Sequence, residues 1–428
     1  MIKKSSADKP GISEGRDRLL SKDYILLMFS SSVHALMNQF FLVAAPLYIY
    51  KLGGTTLQAG LLSTVYSMTA LAARPISGVL SDRSGRVRLL IFGSVLSAVT
   101  CSMFGFTAVL PLLLIIRGVT GIGFGAHSTC AGAAAADVLP KSRLAEGIGY
   151  FGLYATLAQA IGPGIALAIV AGDTLGSYRA LFLLTAALCA ISAFTNSCVT
   201  YERKRKKLSA QIDGKDSPGG DIKTIPVADT GGVLPKTILG FEYSVFAPAA
   251  VLILMQTGLC GIMAFLAPFA KWKGFGNPGL YYTVSAIGMV LSRTFFGKVA
   301  DKRGADVVLI PGLLLLTACL AILPSVNSIT ALVAMALPIG LSQGAIQPSL
   351  NSIMFKRCSP ARRGTASGAY FAAIDLGYAI GAPVLGALAD AFDFRFTYWA
   401  AAVFIALSLA LYLLISTDRQ YYKKHERI

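Results

Sequence analysis

The chain reads as an all-α polytopic membrane protein, with twelve transmembrane helices in two pseudo-symmetric six-helix bundles, on three observations. Of 428 residues, 55% are hydrophobic and 14% charged, against roughly 25% charged in a soluble domain. The apolar residues gather into runs of about 20 or more, the length that crosses a bilayer as a helix. The two halves also repeat one another at a constant offset of 219 residues, measured from Asp82 to Asp301.

Twelve runs carry the helix pattern, near 24–50, 56–80, 88–108, 111–136, 145–171, 178–200, 246–270, 279–300, 305–324, 328–354, 364–388 and 396–416. The first is too long for the apolar core of a signal peptide and reads as a retained span. Tails cover 1–23 and 417–428, and the bundles cover 24–200 and 246–416. Between them, 201–245 opens on ERKRKK and continues through DSPGGD and DTGG. So polar and turn-rich a stretch is expected to be a largely disordered cytoplasmic linker.

A net charge of +17 could suggest nucleic acid, but the distribution of the charge does not. With a cytoplasmic N-terminus, only Lys51, Arg179, Lys271, Lys273 and Arg395 fall on the outer side, and Arg74, Arg117 and Arg293 lie within helices. The rest of the 38 lysines and arginines occupy inner segments. That asymmetry is a topology signal, with both termini cytoplasmic and the protein in the plasma membrane. Seven scattered cysteines without a C-x-x-C pair argue against a disulfide framework or a zinc site. No G-x-x-x-x-G-K-[ST] phosphate loop is present, so no nucleotide fuel or other cofactor is expected.

The repeat holds one register across four helices. Gly60 answers Gly279, Arg74 answers Arg293, Gly78 answers Gly297, Gly121 answers Gly340, Gly125 answers Gly344 and Gly162 answers Gly381. Six helices return the second half to the side where the first began, so the repeats are parallel about an axis along the membrane normal. Two such halves with a site between them are the architecture of alternating access.

The segment Gly78–Arg88 (GVLSDRSGRVR) joins helices 2 and 3, with a weaker copy at Gly297–Gly304 (GKVADKRG). It resembles the loop signature G-x-x-x-D-R-x-G-R-x-R of the major facilitator superfamily at every fixed position. The resemblance implies a loop that helps hold the cytoplasmic side closed, with Gly78, Asp82, Arg83, Gly85, Arg86 and Asp137 in one latch and Gly297, Asp301 and Arg303 in its copy. Helix 11 begins near Gly364, so its positive end should face Asp82; by symmetry Asp301 should face the start of helix 5 near Ala145. Gly78 and Gly85 would allow close approach and a tight turn. Arg74 and Arg293 are expected in the same latches, and Glu146 in a structural role at the start of helix 5.

Helix 4 carries Arg117, Gly121 and Gly125 at four-residue steps on one face; Arg117 and Gly121 resemble the start of the family's R-x-x-x-G-x-x-G, which this chain leaves at Phe124. An arginine within a span must face protein or water; it would hold an anionic group, tune a proton site or form an interhelical ion pair. Its counterpart is Ala336, so the scaffold does not require the charge. Gly162-Pro163-Gly164 resembles part of the family's antiporter signature, departing at Ala166-Leu167. Asp375 is the one carboxylate deep in a spanning run, opposite Thr156 in the repeat. A lone buried acid suits reversible protonation, with His34 at similar depth as a second proton-site candidate and Arg117 as the electrostatic partner. His34, Asn38, His127, Gln343 and Gln347 complete the candidate wall, because in the resembled family helices 1, 4, 7 and 10 line the cavity.

The expectation is a secondary active transporter, not an enzyme, exporting a small, largely apolar organic compound against protons; the family resemblance implies a monomer. Proton-coupled uptake of a small metabolite is the alternative within transport. A non-transporting receptor on the same scaffold is the alternative from another class.

Overall fold

The computed structural model describes residues 20–140, 143, 147, 150–203, 237–238, 241–358 and 363–425. Within them lie twelve long helices: α1 Lys22–Lys51, α2 Thr56–Ser84, α3 Arg86–Phe104, α4 Leu110–Val138, α5 Leu153–Ile169, α6 Leu175–Ser197, α7 Phe246–Trp272, α8 Gly279–Arg303, α9 Asp306–Ile322, α10 Ile329–Arg357, α11 Arg363–Ala391 and α12 Phe394–His425. In hydrocarbon every backbone amide must be satisfied within its own segment, which long apolar runs achieve as helices. Polar side chains mark several starts. Ser21 accepts from the Tyr24 amide, Thr55 and Gln58 form a reciprocal capping box on α2, and Ser328 accepts from Ala331. Large apolar residues such as Ile76, Phe194 and Leu414 are exposed, as a surface bathed in lipid tails requires.

The helices alternate in direction. One face, here the loop face, carries the start of α1, the 84–86 turn and the end of α12; the other is the far face. Ten of the twelve helices are long and apolar enough to count as spans by composition alone. The exceptions among the described helices are α2 and α8, and each carries an arginine, Arg74 or Arg293, in the contact between the bundles. The last helix runs on past the expected end at 416. Of the 201–245 linker, residues 201–203 are helical, and Thr237–Ile238 pairs antiparallel with Phe241–Glu242. Tyr243–Val245 form a 3-10 turn that leads into α7, and residues 204–236, 239 and 240 lie outside the described residues.

Packing explains why the repeat preserves its glycines. In the first bundle α4 lies against α2, and a methyl on Gly125 would stand 2.6 Å from the Ala70 carbonyl oxygen. In the second, α10 lies against α8, and a methyl on Gly344 would stand 2.6 Å from the Met289 oxygen. Gly121 and Gly340 meet Tyr66 and Ser285 in the same way. Small residues let backbones touch where lipid tails compete for every larger side chain.

The bundles meet along two seams that the repeat interchanges, α2 against α11 and α5 against α8. At the far face the seams are tight. The Asp390 carboxylate of α11 accepts from the Thr56 and Leu57 amides at the start of α2 (2.8 and 2.6 Å). Asp173, between α5 and α6, accepts from Lys271 of α7 at 2.9 Å, with Lys51 at 3.6 Å. The structure is therefore closed at the far face.

Candidate functional site

Asp375 is buried but not alone. Arg74 Nε donates to its Oδ2 at 2.7 Å across the α2–α11 seam, Arg74 Nη1 donates to Ser128 at 3.0 Å, and the guanidinium lies over the Phe371 ring at 5.2 Å. This corrects two expectations at once: Arg74 is not a latch residue of the loop face, and Arg117 is not the partner of Asp375. The arginine reaches from its own turn of α2 up into the seam because its long stem can follow apolar surface while its head finds the carboxylate. The repeat mates behave likewise: Arg293 Nη1 donates to Thr156 across the α5–α8 seam. One seam thus holds an ion pair where the other holds an arginine and a hydroxyl. A half-open pocket of about 150 Å³ between α2, α7 and α11 is lined by apolar residues including Leu71, Ala249, Ile253, Ala373 and Leu376, with neither Arg74 nor Asp375 in its wall.

Arg117 is held by rings instead. Its guanidinium lies 3.9 Å from the Tyr66 centroid and 4.7 Å from that of Phe41. Tyr66 gives its hydroxyl proton to Asn38 Oδ1 at 2.7 Å, so Asn38 belongs to this group. His34 and His127 stack at 4.0 Å between centroids, and Phe124 lies against both His34 and Tyr66. His127 Nε2 is 3.5 Å from Ser30 Oγ, while neither ring nitrogen of His34 has a partner. In the second bundle Gln347 donates to Gln256 at 3.5 Å, and the Nε2 of the buried Gln343 has no partner. The candidates thus fall into a cationic and aromatic group on α1, α2 and α4, and an amide group on α7 and α10.

At the loop face, Arg86 Nη1 lies 2.5 Å from Asp137 Oδ2 and 2.6 Å from the Ala133 carbonyl. Gly85 takes a φ of +98°, the left-handed region that favours glycine. A methyl there would meet the Glu202 carboxylate at 2.8 Å. That carboxylate accepts from the Arg86 and Val87 amides (2.6 and 3.2 Å) and caps α3. Gly78 permits no such approach, since a methyl on it would meet nothing within 4 Å. Arg83 and Arg303 are exposed. The side chains of Asp82 and Asp301, the surroundings of Gly297, and Ala145 with Glu146 lie outside the described residues. Gly162 packs against Gln39 of α1, Pro163 lies within α5, and Gly164 meets Gly279 at the α5–α8 seam.

Comparison with known proteins settles the family. The Major Facilitator Superfamily matches residues 27–276 and 237–427. The chain belongs to that superfamily. It is accordingly an integral membrane transporter of small molecules and not an enzyme. Among curated relatives, the staphylopine export protein of Staphylococcus aureus is 23% identical over 91% of this chain and 94% of its own length. The multidrug resistance protein MdtG of Proteus mirabilis is 27% identical over 85% and 88%. The quinolone resistance protein NorA of Staphylococcus aureus is 22% identical over 95% and 98%. Among solved structures, a bacterial homolog of the human lysosomal transporter Spinster, inward-facing and unoccupied, superposes with a TM-score of 0.72 at 18% identity, covering 93% of this chain and 98% of that one. A likeness at that identity concerns fold alone.

Residues that sequence reasoning missed are Glu202, Tyr66, Gln256, Asp173 and Asp390. Glu202 could have been found as the lone acid opening a basic run just past α6. Asp390 could have been found as an acid in the last turn of a helix, where its own helix dipole opposes it.

Proposed function

We propose that this superfamily member is a proton-coupled exporter of a small, largely apolar organic compound, with the Arg74–Asp375 pair as the contact that protonation switches. The observation that carries the reading is the broken symmetry of the two seams: a titratable carboxylate faces Arg74, and a hydroxyl faces Arg293. A buried ion pair contributes little net stability compared with apolar residues in its place. Its value in a membrane lies in what changes when one member is neutralised. Once Asp375 binds a proton, Arg74 keeps its contacts with Ser128 and Phe371, of which Ser128 sits in its own bundle, and its hold on α11 weakens. The named activities of the export and resistance relatives support the export direction. The apolar pocket between α2, α7 and α11 supports an apolar cargo.

With the basic loop face in the cytoplasm, as the lysine and arginine distribution favours, the closed far face is the external one. The loop between α2 and α3, with Arg86–Asp137 and the Glu202 cap, would then brace the first bundle at the gate that closes next. The test is proton-driven transport in proteoliposomes. Asp375→Asn should abolish substrate movement driven by a pH gradient while leaving substrate binding, and undiminished transport would end the proton role. Inside-out vesicles acidified within should accumulate substrate; accumulation only in right-side-out vesicles would reverse the direction.

A further inference from the structure

Arg117 carries a positive charge that no acid among the described residues balances. Asp375, the buried carboxylate of the spanning region, is committed to Arg74 at 2.7 Å. The Arg117 side chain is 2% exposed, and its Nε and Nη1 have no hydrogen-bond partner. Phe41 and Tyr66 offer ring faces, which attract a cation. The Tyr66 hydroxyl is already turned to Asn38. Ala336 occupies the matching place in the second bundle, so the helix packing there manages without an arginine. A guanidinium kept inside a membrane span against its desolvation cost, with N–H groups unpaired at both Nε and Nη1, keeps donors in reserve that an anionic oxygen can accept.

We infer that Arg117 is the recognition site for the carboxylate of an amphipathic organic acid, a cargo with one anionic group on an apolar, ring-bearing body. The inference rests on the transport reading above and adds the substrate's charge to it. Tyr66 covers the guanidinium, and its hydroxyl is held by the half-buried Asn38 of α1. Turning Tyr66 away and releasing that bond uncovers Nε and Nη1, and the displaced ring, with Phe41 and Phe124, supplies the faces against which the apolar body stacks. The ring geometry favours flat aromatic acids over compact inorganic anions.

The experiment is thermal unfolding of the purified full-length protein in detergent with 1-naphthoate, benzoate and decanoate, each beside its neutral amide, and with chloride alone. At least one acid, 1-naphthoate first, should raise the melting temperature with a half-saturation concentration about tenfold below that of its amide. Arg117→Gln should remove that preference and Arg117→Lys should keep part of it. No acid-over-amide preference across the three pairs would overturn the assignment, and so would an equal effect of chloride, which would make Arg117 a counter-ion site only. This wild-type comparison decides the matter even if Arg117→Gln does not fold. Asp375→Asn should retain the preference for the acid, so a failure of proton coupling and a failure of anion recognition give different results.

Discussion

Asp390 offers the sharpest test of how the far face is held shut. Its two carboxylate oxygens accept the Thr56 and Leu57 amides at 2.8 and 2.6 Å, two of the donors that the first turn of α2 leaves unpaired. The same carboxylate stands in the last turn of α11, where its own helix dipole works against it. Its place is therefore favourable only while the bundles touch. A hydrogen bond to a charged group contributes about 1.5–3 kcal/mol when buried. Asp390 is exposed, so solvent screening reduces the whole contact to about 1 kcal/mol. Asp390→Ala should then move the balance between far-face-closed and far-face-open protein about fivefold toward open. Spin labels at the exposed Leu175 and Phe392, one on each bundle at this face, would read the change as a growing long-distance population. Cys198 would be replaced in that protein, since the other native cysteines are buried. A distance distribution identical to that of the unmutated protein would refute the pin.

Removing only one member of the seam pair, as in Asp375→Asn, leaves the Arg74 guanidinium uncompensated and should cost about 3–5 kcal/mol of stability. Adding Arg74→Gln should restore much of the melting temperature without restoring proton-driven transport. Gly125→Ala and Gly344→Ala should each cost about 1–3 kcal/mol by forcing α2 from α4 or α8 from α10, read as lowered melting temperatures of similar size. Lys271, through its hydrogen bond, holds Asp173 below the ordinary carboxylate range. A depressed acid stabilises the closed far face above its ordinary pKa of about 3.9, and the contribution disappears as pH falls through the lowered value. Asp173→Asn should therefore lower the melting temperature at neutral pH, and the gap from the unmutated protein should close below about pH 4.

Helix number and repeat register were legible because lipid leaves so few solutions: a run of about 20 apolar residues has one fate, and a duplicated scaffold keeps its close-packed glycines in step. Gly125 and Gly344 could be paired from spacing alone, and the structure supplies the reason in Ala70 and Met289. What the sequence hid is contact between segments remote in the chain. Asp375 looked solitary because its partner lies 301 positions away, on a helix whose arginine seemed to belong to the loop face. Glu202 was hidden in a run of basic residues read only for its net charge. Asp390 was invisible because nothing in a single helix announces which neighbour's first turn its last turn will meet.

The repeat nonetheless points to function by subtraction. Where both halves keep a residue, as with the helix-packing glycines or Arg74 and Arg293, the structure finds scaffold geometry that both bundles need. Where they differ, the contacts differ with them. Asp375 answers Thr156, and only the former can bind and release a proton in the seam. Arg117 answers Ala336, and only the former leaves donors unsatisfied inside the membrane. Asp390 has Ala171 as its counterpart, and of the two far-face seam ends only the α2–α11 end is pinned by a carboxylate on helix amides. All three departures involve the α2–α11 seam or the helix packed directly on α2. A two-fold machine that switches must be biased on one side, and these residues place the bias on α2. Its contacts run from the far-face pin through Tyr66, against Arg117, to Arg74.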